Sequence, residues 1–238
     1  MILGALVQEY VRSADPVSSA DLLKKYKFPF SSATIRNDFQ TLTEEGYLAK
    51  PHVSAGRIPT DKAYRFYITE REKSEQGVKA PGIRTFSELV DDEMQSEEEF
   101  LRNAAAILAR ASRGFATAGM VDDSLFFKYG FSDVLQEPEF SDAEIARDFG
   151  RCIDEFEKSA SELFKSVGQH NPEALIGKEN PVKSAREYGM VVYAYSSDEG
   201  GRNRKKIISI MGPKRMDYER NIALLKEFDE VIRQLYIE

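Results

Sequence analysis

The 238-residue sequence predicts an α+β fold in two domains: a winged helix-turn-helix over residues 1–70 and, beyond a linker at 71–85, a second α+β domain over 86–238. Three observations predict it. Apolar residues recur at helical spacing three times and are followed by two short strand-like runs around a glycine turn, the order of a winged helix. Residues 75–84 carry Gly77, Pro81 and Gly82 and have the composition of a linker. Beyond them, long amphipathic stretches alternate with β-rich runs.

Leu3, Leu6, Val7, Tyr10 and Val11 form the apolar stripe of a first helix that ends near Ser13, where Asp15-Pro16 breaks it. Ser18 and Asp21 make a capping-box pattern opening a second helix that runs to about Tyr26. Phe28-Pro29-Phe30 stops that helix, and Ser31 or Ser32 caps a third that reaches Glu45 and halts at Gly46. Tyr47–Val53 and Arg57–Pro59 read as strands around Ser54-Ala55-Gly56, and Asp61–Lys73 as a further helix. In the second domain the pattern predicts a long helix over Phe86–Arg113 and a strand over Phe115–Val121. A helix capped by Ser141 follows, then strands over Tyr188–Tyr195 and Lys205–Met211 around a turn at 198–201, and a closing helix over Asn221–Tyr236.

Composition narrows the function classes. The longest apolar runs, such as 104–109 and 190–194, are far short of a membrane span. Residues 1–10 lack the basic start of a signal peptide, and one cysteine, Cys152, allows no internal disulfide, so a cytoplasmic protein is expected. Net charge is −7, but it is unevenly spread: +2 over residues 1–66, −12 over 86–162 and +2 over 178–238. A mildly basic head on an acidic middle leaves a nucleic-acid partner open to the head.

On the third helix Ile35, Phe39 and Leu42 share the side that packs inward, which leaves Ala33, Asn37, Gln40 and Glu44 outward with Thr34 and Arg36 at the flank. Small residues beside Arg, Asn and Gln are the side chains that read base edges, although a solvated helix face carries the same types. The expected base-reading residues are Ser32, Ala33, Arg36, Asn37 and Gln40. The hairpin adds His52, Ser54, Gly56 and Arg57, with Arg57 next to the glycine turn and placed to meet a phosphate or a narrow minor groove. Lys50, Lys62 and Arg65 are expected on phosphates, which position a protein without specifying sequence. One short recognition helix reads too few base pairs to find a unique site, so a homodimer on inverted half-sites is expected, with Phe100, Leu101, Ile107 and Leu108 as its seam.

Residues 31–38 (Ser-Ser-Ala-Thr-Ile-Arg-Asn-Asp), Gly46-Tyr47-Leu48 and residues 51–62 (Pro-His-Val-Ser-Ala-Gly-Arg-Ile-Pro-Thr-Asp-Lys) closely resemble the HrcA family of heat-inducible transcription repressors. Residues 138–142, 176–181 and 212–218 resemble its C-terminal part. The resemblance implies repression of chaperone genes by a dimer bound to an inverted-repeat, CIRCE-type DNA operator, with a GroEL-type chaperonin as modulator. It also implies a GAF-like second domain. The chain is shorter than a typical member, and the missing part falls between Met120 and Phe126, so the GAF-like domain is expected in reduced form, marginally stable and sensitive to heat.

Other chemistry finds little support. His52 and His170 are far apart and make no metal spacing with Cys152, which reads as a packed small residue. The Glu97–Glu99 run reads as a solvated helix face, and residues 202–206 as an exposed basic turn. No nucleophile elbow, phosphate-binding glycine loop or dinucleotide fingerprint is present, so neither an enzyme nor a cofactor is expected. The rival reading is a ligand sensor, in which the GAF-like domain holds a small molecule and the head reports it.

Overall fold

A computed structural model describes residues 1–52, 55–73, 96–199 and 202–236. The chain divides into two compact units, Met1–Gly77 and Val78–Glu238. The linker expected at 71–85 lies, from residue 74 onward, outside the described residues.

The first unit holds helices α1 (Ile2–Ser13), α2 (Ser19–Lys25) and α3 (Ser32–Glu44), short strands β1 (Leu48–Ala49) and β2 (Ile58–Pro59), and helix α4 (Asp61–Lys73). The capping box forms as the spacing requires, since Asp21 N–H donates to Ser18 Oγ and Ser18 N–H donates to the Asp21 carboxylate. The Ser18 hydroxyl also donates to the Asp21 carboxylate, and this bond is the main reason the Asp21 carboxyl sits below its usual range. Ser31, and not Ser32, caps α3, with Thr34 N–H donating to its hydroxyl at 3.1 Å. Gly46 ends that region with φ +78°, a conformation glycine adopts without a Cβ penalty. Among the described residues the ribbon is shorter than its sequence pattern, with Leu48 paired to Pro59 and Ala49 to Ile58. Leu6, Val7, Val17, Leu22, Ile35, Phe39, Leu48, Tyr64 and Ile68 fill the small core.

The second unit is a five-stranded antiparallel sheet covered on both faces. Its strands are β3 (Phe115–Met120), β4 (Leu125–Tyr129), β5 (Glu173–Ile176), β6 (Tyr188–Glu199) and β7 (Arg202–Pro213), in the order β4-β3-β7-β6-β5. Helices α5 (Glu97–Ser112) and α8 (Tyr218–Tyr236) cover one face, where Phe228 packs on Phe100 and Tyr193. The other face is covered by the 24-residue α7 (Ala143–Ser166), preceded by the short α6 (Phe131–Val134). There Phe149 sits among Phe115, Phe131, Phe140 and Tyr188.

Several expectations change. Asp142 caps α7 by accepting from Glu144 N–H, while Ser141 Oγ donates to the Pro138 carbonyl. The closing helix starts at Tyr218, and β6 and β7 extend well beyond the runs that suggested them because every residue from Tyr188 to Glu199 has a partner between Arg202 and Pro213. The run 202–206 is not a wholly exposed turn: Lys206 is fully buried, paired with Glu97 and Ser197, and burial pulls its ammonium down to about 8. The dimer seam expected on α5 is already occupied. Phe100, Leu101, Ile107 and Leu108 are buried within their own unit, so they are core and not interface. The start expected for that helix, 86–95, lies outside the described residues.

Candidate nucleic-acid interface

The apolar side of α3, Ile35 and Phe39, is buried against α1 and α2, which fixes the opposite side toward solvent. Ala33, Arg36, Asn37 and Gln40 are all exposed there. Gln40 Nε2 donates to Glu44 Oε1 at 3.0 Å, an i,i+4 bond that orders this side chain along the helix. Ser32 behaves differently: it is only partly exposed, and its hydroxyl lies 3.1 Å from Ser19 Oγ of α2. One flank of α3, carrying Asp38, Thr41 and Leu42, together with Glu45 at the helix end, borders a separate apolar cleft that includes Phe30 and Phe66. The polar stripe and the apolar cleft are thus on different sides of the helix.

The ribbon's cations are less free than the sequence suggests. Lys50 and His52 are exposed, while Ser54 lies outside the described residues. Arg57 stands at the foot of the ribbon, where its backbone exchanges N–H···O bonds with Val17 at 2.8 and 2.9 Å. Its guanidinium Nε donates to Thr43 Oγ1 at 3.0 Å, and Thr43 Oγ1 donates in turn to the Phe39 carbonyl at 2.6 Å. Gly56 is required by this closeness, since a Cβ there would come within 2.4 Å of the Val17 carbonyl oxygen. Lys62 Nζ donates to the Glu45 carbonyl at 2.8 Å and lies 4.1 Å above the Tyr47 ring, closing the C-terminal end of α3. Arg65, on α4, is half-buried.

The exposed residues Arg36, Asn37, Gln40, Lys50 and His52 therefore line α3 and the start of the ribbon. Ser32, Arg57 and Lys62 tie those elements together. Sequence reasoning missed Thr43, Val17 and Tyr47, the partners in that frame. Fourteen residues separate Thr43 from Arg57, and no local pattern announces the bond.

A family model described as the HrcA protein C-terminal domain matches residues 75–222, more than half of the chain. The chain belongs to the HrcA family. Relatives named heat-inducible transcription repressor HrcA match nearly all of it: that of Alkaliphilus metalliredigens is 26% identical across 98% of this chain and 96% of its own. That of Geobacter sulfurreducens is 24% identical across 99% and 96%. The Chloroflexus aurantiacus relative is 39% identical over a shorter stretch, 50% of this chain and 32% of its own. The Alkaliphilus alignment runs over 332 positions, more than this chain has residues, so internal stretches of that relative have no counterpart here. A crystal structure of a protein described as hypothetical shares the fold at TM-score 0.73 and 21% identity, covering 98% of this chain and 95% of its own. The HrcA relatives are named transcription repressors, and no described helix is long and apolar enough to cross a membrane.

Proposed function

We propose that this HrcA-family chain represses heat-shock genes by binding a double-stranded operator through its first unit, a winged helix-turn-helix in which α3 is the recognition helix and β1–β2 the wing. One observation carries this reading: α3 buries Ile35 and Phe39 and turns a stripe of Ala33, Arg36, Asn37 and Gln40 to solvent. The small Ala33 lets the helix approach a groove, Arg36 suits guanine, and Asn37 and Gln40 suit adenine. Lys50 and His52 extend the contact along the wing, Arg65 and the exposed Lys62, whose ammonium also holds the Glu45 carbonyl, bear on phosphates, and Ser32, Gly56 and Arg57 hold helix and wing in register. Two copies reading inverted, CIRCE-type half-sites supply the length of sequence that one helix cannot. The second unit is the GAF-like effector and dimerisation domain, through which heat and a GroEL-type chaperonin act.

A footprint on the chain's own upstream DNA tests the reading. Protection of two inverted half-sites is expected, lost reversibly on heating and restored by chaperonin. Arg36→Ala and Asn37→Ala should each weaken operator binding by about 1–3 kcal/mol, the range of a bidentate base contact, and change binding to scrambled duplex much less. Equal losses on both duplexes would show that these side chains touch only the backbone.

A further inference from the structure

The exposed large apolar residues described in the first unit, Met1, Phe30 and Phe66, all border one place, the cleft beside α3. It holds about 560 Å³. Buried Ile2 and Leu3 of α1 and half-buried Leu42 of α3 line it together with Tyr47, whose ring meets that of Phe66 edge to face at 5.6 Å. Asp38, Thr41, Leu42 and Glu45 recur at i, i+3, i+4 and i+7, so two carboxylates stand along the α3 side of an otherwise apolar lining. No lysine or arginine lines the cleft, and among the described residues neither carboxylate has a cationic partner. Lys62 is engaged by the backbone carbonyl of Glu45 and by the Tyr47 ring. Even with the Met1 amino group counted, the lining is net negative. Thr41 Oγ1 already donates to the Asn37 carbonyl at 3.3 Å, so what it offers a ligand is an acceptor.

We propose that this cleft binds a lipophilic organic cation, an aryl-substituted phosphonium or ammonium molecule whose apolar groups lie among Phe30, Leu42 and Phe66 and whose charge is met by Asp38 and Glu45. Each feature of the site selects one feature of the ligand. The volume falls within the roughly 300–1,000 Å³ of small-molecule sites. The carboxylates repel phosphates, which keeps nucleic acid out of the cleft and leaves it to the polar stripe on another side of α3. An apolar acid of the same size meets the same repulsion. A compact, strongly hydrated ammonium loses too much water against an apolar lining, whereas a diffuse cation is weakly hydrated and is attracted by carboxylates and aromatic faces alike. Burial of its apolar groups supplies most of the affinity, and the two carboxylates set the sign of the charge.

The test needs no DNA. It uses the full chain and two probes of the same shape and opposite charge, tetraphenylphosphonium and tetraphenylborate. Equilibrium dialysis should show one saturable site per chain for the phosphonium at micromolar concentration, roughly tenfold tighter than for the borate. On titration with the phosphonium, amide chemical shifts should move at residues 1–3, 30, 38–47 and 66. They should stay still around Tyr129, Phe131 and Ile145, the exposed apolar residues of the second unit. Asp38→Asn with Glu45→Gln, near-isosteric changes at exposed positions, should weaken phosphonium binding about tenfold and abolish the preference over the borate, with the circular dichroism spectrum unchanged. Tyr129→Ser with Phe131→Ser should leave phosphonium binding as it is, which separates the cleft from adsorption to any exposed aromatic. Equal binding of the two probes by the wild type, no saturable binding of either, shifts centred on the second unit, or a double carboxylate variant that keeps the charge preference would each overturn the proposal.

Discussion

The two units are held together by different means. The second is an apolar sandwich whose sheet carries a layer of aromatic and aliphatic side chains on each face, with 12-residue strands at its centre. The first has a small core and two-residue strands, and its parts are tied by single polar links: Glu9 to Lys25, Gln8 to Tyr67, Ser32 to Ser19, Arg57 to Thr43, Lys62 to Glu45. The difference teaches where adjustment is possible. An apolar sandwich resists change until it fails as a whole, whereas a frame of single hydrogen bonds can be altered one link at a time. It also shows that the heat response proposed for the second unit does not follow from its size. A reduced, marginal second domain was expected from chain length, but its sheet is covered on both faces; by size alone the first unit is the more marginal.

The largest expected effect breaks the sandwich alone. Phe149 is fully buried and touches four aromatic rings, so Phe149→Ala should cost the second unit about 3–5 kcal/mol, the usual range for an aromatic truncated in a core. Denaturation followed by hydrogen exchange along the chain would show protection falling in residues 96–236 and unchanged in residues 1–73. A loss spread evenly over both would mean that the units unfold as one and that the comparison is wrong.

Much of this contrast was legible in the sequence, and what was not has a physical cause. The first unit announces itself because its signals are local: the Ser18/Asp21 box, the Ser31 cap, Gly46, and the 3.6-residue spacing of Ile35 and Phe39 each act within a few residues. The centre of the sheet was visible in the Val, Ile and Tyr runs of β6 and β7. The edge strands β4 and β5 were missed, since five and four residues are too few to show alternation and their identity depends on neighbours far along the chain. The α5 stripe was correctly read as apolar and given the wrong partner. Periodicity says that a face is buried, not what buries it. In the candidate site, exposure of Arg36, Asn37 and Gln40 followed from the helical wheel, but the internal bonds of Ser32, Arg57 and Lys62 required the fold.

A middle-sized effect sharpens the account of the sandwich through pH. Burial pushes the Cys152 thiol from its ordinary 9.0 up to about 11. The unfolded thiol ionises first, so below pH 9 the neutral buried form contributes its full stability, and this is lost progressively as pH rises from 9 toward 11. Buried Tyr188 and Tyr193 are pushed up as well and also destabilise the fold at high pH, so the thiol must be isolated by difference. Between pH 8.5 and 11, wild type should lose on the order of 2–3 kcal/mol more than Cys152→Ala does. Parallel pH profiles for the two proteins would show that the thiol is hydrated in the folded state.

The smallest effect tests the polar frame of the first unit and concerns Arg57. Two roles are open to a wing arginine: it can neutralise a phosphate, or it can hold the wing against the recognition helix. The bond from its Nε to Thr43, with both backbone bonds to Val17, favours the second. The roles separate by measurement. A phosphate contact contributes to counterion release, so its loss shallows the slope of log affinity against log salt by about one unit. A positioning bond leaves that slope unchanged and couples to its partner. Arg57→Gln and Thr43→Val should each weaken operator binding by about 1 kcal/mol, and the double variant should lose little more than either alone, because each removes the same bond. Val17 lies in the same frame, but its backbone bonds survive both changes. Additive losses together with a shallower slope for Arg57→Gln would return Arg57 to the phosphates and show that the wing is held by its backbone alone.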